Sequence, residues 1–313
     1  MEKKPLTYFF EFTQCGDFGQ ESLPMFFTYM LKSLSCHGVR HIVLTNTMFQ
    51  LMMRYKGLSY KVKDAVEGAG LDFVDAHSIC STWWDLNEPD ESRRAEMIAT
   101  HMHTMALAAS MGVKTITIHV GGSQTPVRNT PPDPWLDAIS QLSLEQMIDN
   151  AINALKVLVP YAESLGITIC IENIYYVCTT PEVLLEIKRH FPSEALGLCC
   201  DVGHANVSRP LYEASDNPVH RAMAADASTP LSLLIVKQML PHIVTCHLHD
   251  NNGLEDRHLL PGMGTLDWDS VSALLRQAPR LQCLQSEVMP VQKGITLPTL
   301  VGAFNRIFGE WAE

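Results

Sequence analysis

"ITICIENIYYVCTTPEVLLEIKRHFPSEALGLCCDVGH" occupies residues 167–204. It opens on an apolar, β-rich run (167–174) that carries Glu172 and Asn173 near its end. A segment of helical periodicity follows at 181–190. A second apolar run (196–204) then ends in Asp201 and His204. Two such runs with a helix between them read as a strand–helix–strand unit.

The unit repeats in both directions. Before it lie "LTYFFEF" (6–12), "HIVLTN" (41–46), "LDFVDAHS" (71–78) and "VKTITIHV" (113–120). After it lie "IVTCHLHD" (243–250) and "RLQCLQSEV" (280–288). Helices are predicted at 91–111, 139–165, 181–190, 229–240 and 268–277, and "LPTLVGAFNRIFGEW" closes the chain as another apolar-periodic segment. Strand and helix alternating eight times predict a (β/α)8 TIM barrel, with residues 1–313 as one domain. A doubly wound open sheet is the competitor, but no Gly-rich nucleotide loop follows the first strand. Two long connections, 121–137 and 205–228, follow predicted strands and belong on the C-terminal face as lids or substrate walls.

The chain is 46% hydrophobic and 18% charged, an ordinary globular composition with length for a large core. Its 23 basic and 34 acidic residues give a net charge of −11. That surface repels polyphosphates, so nucleic acid is disfavoured as a partner, while bound metal ions would offset part of the charge. The nine cysteines are odd in number and include no Cys-x-x-Cys pair, which argues against a disulfide framework. No apolar run reaches the ~18 residues of a membrane span, and "MEKKPLTYFFEF" lacks the apolar stretch of a leader. A soluble, cytoplasmic protein with no membrane partner is the expectation.

Polar residues gather at the predicted strand ends: His77, His119, Glu172, Asn173, Asp201, His204, His247, His249, Asp250 and Glu287. In a barrel these ends converge on the face that carries the active site. Alternation along a strand puts Cys170 with Glu172, His247 with His249, and Gln285 with Glu287. If those faces point inward, two glutamates and at least one histidine meet Asp201 near the axis. Carboxylates crowded out of water need neutralising, and a divalent cation does so directly. One nitrogen among several oxygens suits Mn²⁺, Mg²⁺ or Co²⁺, with Zn²⁺ also accommodated.

At these residues the sequence resembles the xylose-isomerase-like barrel superfamily, which holds sugar and sugar-phosphate isomerases, epimerases and metal-dependent abasic-site endonucleases. The motifs are "AHS" at His77, "IHVGGS" at His119, "IENI" at Glu172, "CCDVGHAN" at Asp201 and His204, "HLHDN" at His247, "DRHLLPGMGTLDW" at Asp256 and His258, and "SEV" at Glu287. The resemblance implies one divalent metal on Glu172, Asp201, His247 and Glu287. It makes Glu172 and Glu287 the acid/base pair and gives substrate oxygens to His204 and Arg257. His249 has the parity to face the same way, and Trp83 is a candidate substrate wall, as aromatic faces suit sugar rings. The endonuclease-like members imply a fuller set, in which His77, His119, His204, Asp256 and His258 join the four ligands to hold up to three Zn²⁺. Asp267 is the expected N-cap of the helix after this loop.

Three functions follow from the resemblance. The first is a metal-dependent isomerase or epimerase of a sugar, sugar phosphate or hydroxy-carbonyl acid, working by glutamate proton transfer through a metal-stabilised enediolate. An inosose-dehydratase-like lyase is its close variant. The second is a trinuclear-zinc phosphodiesterase, against which stand the acidic charge and the absence of a dense Lys/Arg run. The third is a sugar-binding barrel without activity, against which stands the intact Glu/Asp/His/Glu set. Dimers and tetramers occur in the superfamily, so a homo-oligomer is open.

Overall fold

The computed structural model describes residues 3–10, 15–19, 22–80, 84–121 and 142–313. Eight parallel strands close into a barrel in chain order: β1 (Leu6–Tyr8), β2 (His41–Leu44), β3 (Asp72–His77), β4 (Thr115–Ile118), β5 (Thr168–Glu172), β6 (Leu196–Asp201), β7 (Ile243–Leu248) and β8 (Cys283–Ser286). β8 pairs back onto β1 through Leu6–Leu284 and Tyr8–Ser286. Each predicted run contains one strand.

The helices with long apolar faces stand where their periodicity put them: Glu91–Met111, Leu144–Leu165, Pro181–Arg189, Leu231–Met239, Trp268–Leu275 and Leu297–Phe308. The 205–228 segment differs from the expected irregular loop. It forms three short helices, Val202–Val207, Arg209–Glu213 and Pro218–Ala225. Asp201 and Asn217 cap the first and third, and Pro210 and Pro218 sit in first turns. Helices of five to eight residues are too short for periodicity to reveal. Beyond Gly121, the 121–137 connection lies outside the described residues, as do Trp83 and Trp135. No helix among the described residues is long and apolar enough to cross a membrane. All nine cysteines are free.

The strand sides facing the helices belong to one large apolar core. The barrel axis differs. Thr115 Oγ1 donates to Asp75 Oδ1 at 2.6 Å, and Thr245 Oγ1 lies 3.4 Å from Asp75 Oδ2. Cys283 Sγ lies 3.3 Å from both threonine oxygens. These side chains are buried, and burial raises the Asp75 carboxyl to about 6. A small polar layer thus forms the floor beneath the C-terminal face.

Candidate functional site

The C-terminal ends of β5 to β8 carry the inner part of the site. Cys170 and Glu172 share the inward side of β5, and Asp201 and His247 are paired across β6 and β7. Glu287 follows the last residue of β8. His247 Nδ1 lies 2.9 Å from Glu172 Oε1, 3.0 Å from Glu287 Oε1 and 3.9 Å from Asp201 Oδ2. Its other nitrogen is 3.3 Å from Thr117 Oγ1 on β4, and Gln285 Nε2 donates to Glu287 Oε1 at 2.9 Å. The four residues assigned to one metal are therefore brought together, and all are buried.

Two further groups flank them. On one side, His119 Nε2 and His77 Nε2 lie 3.0 and 3.6 Å from Glu172 Oε2. On the other, His204 Nε2 and His258 Nε2 lie 3.2 and 3.3 Å from Asp256 Oδ2. All nine residues of the larger set thus lie on one face of the barrel.

The donor chemistry fits divalent cations. His77, His204 and His258 each direct Nδ1 at a backbone carbonyl, of Ser78, Asn173 and Glu287, at 2.9–3.0 Å. A ring nitrogen facing a carbonyl donates, so in the neutral imidazole Nε2 is the nitrogen left for a cation shared with the neighbouring carboxylate. Metal-binding histidines are oriented in this way. Two buried carboxylate oxygens in the same clusters, Glu172 Oε2 and Asp256 Oδ1, have no hydrogen-bond partner among the described residues. Side-chain groupings tight enough to share an ion include Glu172 with Asp201 and His204, and His204 with His249, Asp256 and His258.

The same crowding sets the charges. Burial alone would push Glu172 up, but the imidazoles of His247, His119 and His204 outweigh it and hold the carboxyl well below the usual range. Burial would likewise depress His247, yet Glu287 and Glu172 raise it to about 9. His258 is raised to about 9 by Asp256 and Glu287 against its own burial. Positive charge is thus stabilised in this pocket, the complement of a cation site.

Asp256 and His258 stand on the loop between β7 and the Trp268 helix, and Asp250 anchors that loop. The buried Asp250 carboxylate accepts from the N–H groups of Asn251, Gly262 and Leu266 and from Trp268 Nε1, at 2.9–3.3 Å. Backbone bonds between Asp250 and Leu259 pinch the loop at its base. A Cβ at Gly264 would meet Asn251 O at 2.1 Å, so the turn passes there only with glycine. Asp267 caps the next helix by accepting from Ser270 N, as expected.

The face opens into a cavity of about 300 Å³ lined by Phe9, Asn46, Thr47, Cys80 and Met289 together with six of the nine site residues, among them Glu172, His204 and Glu287. Sequence reasoning missed those five. They follow the ends of β1, β2, β3 and β8, and only their position after a strand could have marked them. Two residues expected to contact substrate lie away from this lining. Arg257 is half-exposed and pairs with Glu255 at 3.7 Å, away from the cavity lining. His249 is fully buried and does not line the cavity, because its ring fills the space over Gly203. Trp83 lies outside the described residues.

A family model described as xylose isomerase-like TIM barrel matches residues 34–280. The chain belongs to the xylose isomerase-like TIM barrel family. Every site residue but Glu287 falls within the match. An uncharacterised protein of Methanocaldococcus jannaschii is 30% identical over 151 residues, 47% of this chain and 43% of that protein. The chain spans less than half the length of the curated relatives it matches. Among solved structures, a D-tagatose 3-epimerase-like protein superposes with a TM-score of 0.67 at 19% identity, covering 98% of both chains. An IOLI protein with a bound zinc atom superposes with a TM-score of 0.66 at 16% identity, covering 98% of this chain and 99% of the other. At these identities the likeness is one of fold.

Proposed function

We propose that this protein is a divalent-metal-dependent isomerase or epimerase of a small sugar or related hydroxy-carbonyl compound. The observation that carries this reading is the pair of buried carboxylates, Glu172 and Glu287, on either side of His247 at the floor of a cavity of about 300 Å³. That volume suits a sugar-sized ligand. The naming of one structural neighbour for a sugar 3-epimerase activity, and the zinc of another, point the same way.

Glu172, Asp201, His247 and Glu287 would hold the cation. When bound, it supplies Lewis-acid charge to a carbonyl oxygen and the hydroxyl beside it. One glutamate removes the proton from the carbon next to the carbonyl, leaving an enediolate. The other returns a proton to the neighbouring carbon for isomerisation, or to the opposite face of the same carbon for epimerisation. Loss of hydroxide from the same enediolate would give the dehydratase variant. Phe9 and Met289 keep water from one wall, while Asn46, Thr47 and His204 offer polar atoms to substrate hydroxyls.

A second reading, phosphodiester cleavage with up to three Zn²⁺, is favoured by the convergence of His77, His119, His204, Asp256 and His258 on the same face. Against it stand the net charge of −11 and a cavity whose described lining has no Lys or Arg. Metal content of the dialysed protein, by inductively coupled plasma mass spectrometry, separates the two. About one Mn, Mg, Co or Zn per chain, with deuterium exchange from D₂O into a ketose panel, is the expected result. About three Zn per chain, with cleavage of an abasic-site duplex and no exchange, would establish the second reading instead.

A further inference from the structure

We propose that His249 is a positioning residue that steadies the cation site by holding Asp201, one of its strand-borne ligands, on an imidazole edge that also faces Asp256. This rests on the metal-centre reading above. His249 Nε2 lies 3.2 Å from Asp201 Oδ2 and 3.6 Å from Asp256 Oδ1. Asp201 stands at the end of β6 in the inner cluster, and Asp256 on the loop in the outer one. His204 approaches the same two residues, at 3.6 Å from Asp201 Oδ2 and 3.2 Å from Asp256 Oδ2. His249 belongs to two groupings of metal-capable side chains, one with Asp201 and Glu287 and one with His204, Asp256 and His258, the ligand atoms of each lying within 4.8 Å of one another.

The rest of the ring's surroundings serve that contact. Nε2 faces only acceptors, so it donates. Nδ1 then carries a bare lone pair, buried with no hydrogen-bond partner among the described residues. A buried unpaired nitrogen is costly, so something must fix the ring in this orientation. Gly203 does so from one side: a Cβ there would lie 2.0 Å from the ring. His258 does so from the other, its ring stacked on His249 with centroids 3.9 Å apart and planes 16° apart. His258 itself has φ of 45°, a left-handed conformation that a non-glycine residue rarely adopts. The stack therefore also holds His258 in its own strained position, with Nε2 toward Asp256. Because the Nε2 proton points at Asp201, His249 acts through the ligands and not as one of them.

The test is Co²⁺ titrated by calorimetry into the full-length, EDTA-treated and dialysed protein, with melting temperatures measured in EDTA. His249→Gln keeps an amide donor near the place of Nε2, whereas His249→Leu removes it. The Leu variant should bind Co²⁺ about 10–100-fold more weakly, the span seen when a ligand's supporting partner is lost, and the Gln variant should stay within about threefold of wild type. Both should melt in EDTA near the wild-type temperature. Equal Co²⁺ binding by the Leu variant and wild type would overturn the proposal. So would equal weakening in Leu and Gln, which would mark His249 as a direct ligand or a packing group. A wild-type chain that binds no Co²⁺ would overturn the metal-centre reading as well, so the two failures are distinguishable without any substrate.

Discussion

Glu172, Asp201, His247 and Glu287 stand on four neighbouring strands or one residue past them, whereas Asp256 and His258 stand on a loop. The first group is positioned by the sheet, whose parallel register fixes where each side chain emerges. The second is positioned by Asp250, which collects three backbone N–H groups and the Trp268 indole onto one buried carboxylate. A strand end is rigid through its neighbours. A loop is rigid only through its anchor, so the two halves should fail differently.

Substitutions in the inner half test this with the largest effect. Glu172→Gln and Glu287→Gln should each reduce turnover by on the order of 10²–10⁴-fold, as expected for loss of a general acid or base. Asp256→Asn should leave measurable exchange. Retained turnover in either glutamine variant, measured by deuterium exchange, would break the comparison, and abolition by Asp256→Asn would invert it.

Asp250→Ala should destabilise the fold by about 3 kcal/mol, because it leaves buried donors unpaired. Urea unfolding gives the value. In the same variant Co²⁺ binding at the strand-borne ligands should persist.

A smaller effect comes from the loop after β3. His101 donates from Nε2 to the Trp84 carbonyl and accepts from Ser78 Oγ, pinning that loop as Asp250 pins its own. Burial lowers its pKa from 6.5 to about 4, although the bond to Trp84 opposes this. Between those values the unfolded chain takes up a proton that the folded chain refuses. Stability from this residue is therefore full above pH 6.5, falls as the pH drops toward 4, and changes no further below. The loss is about 3 kcal/mol at most. The difference between wild type and His101→Gln in urea unfolding across pH 4–7 should show that slope; parallel curves would remove His101 from the account.

The strand-borne half was legible because each β-rich run carries its polar residues at one end, as in "ICIEN" and "CCDVGH", and a barrel gathers such ends. The loop-borne pair was legible only through the resemblance, since nothing in the spacing of Asp256 and His258 fixes where a loop returns. The place of His249 below the cavity lining was not legible, because alternation gives the face of a strand and not the depth; Gly203 leaves the room its ring occupies. The outward turn of Arg257 was likewise not legible: Asp256 and His258 turn inward and the arginine between them turns to solvent. Asn46, Thr47 and Cys80 enter from connections whose residues show no pattern of their own.

The hydroxyls and the Asp75 carboxyl along the barrel axis divide the labour within each strand. On β7, Cys246 and Leu248 join the apolar core, while Thr245 and His247 meet polar partners. Adhesion is thus assigned to one set of residues and chemistry to the other, two letters of alternating text written along a single strand. Such a barrel is held like a cask, by its hoops and not by its contents. What fills the middle is then free to change with the reaction while the outside keeps its shape.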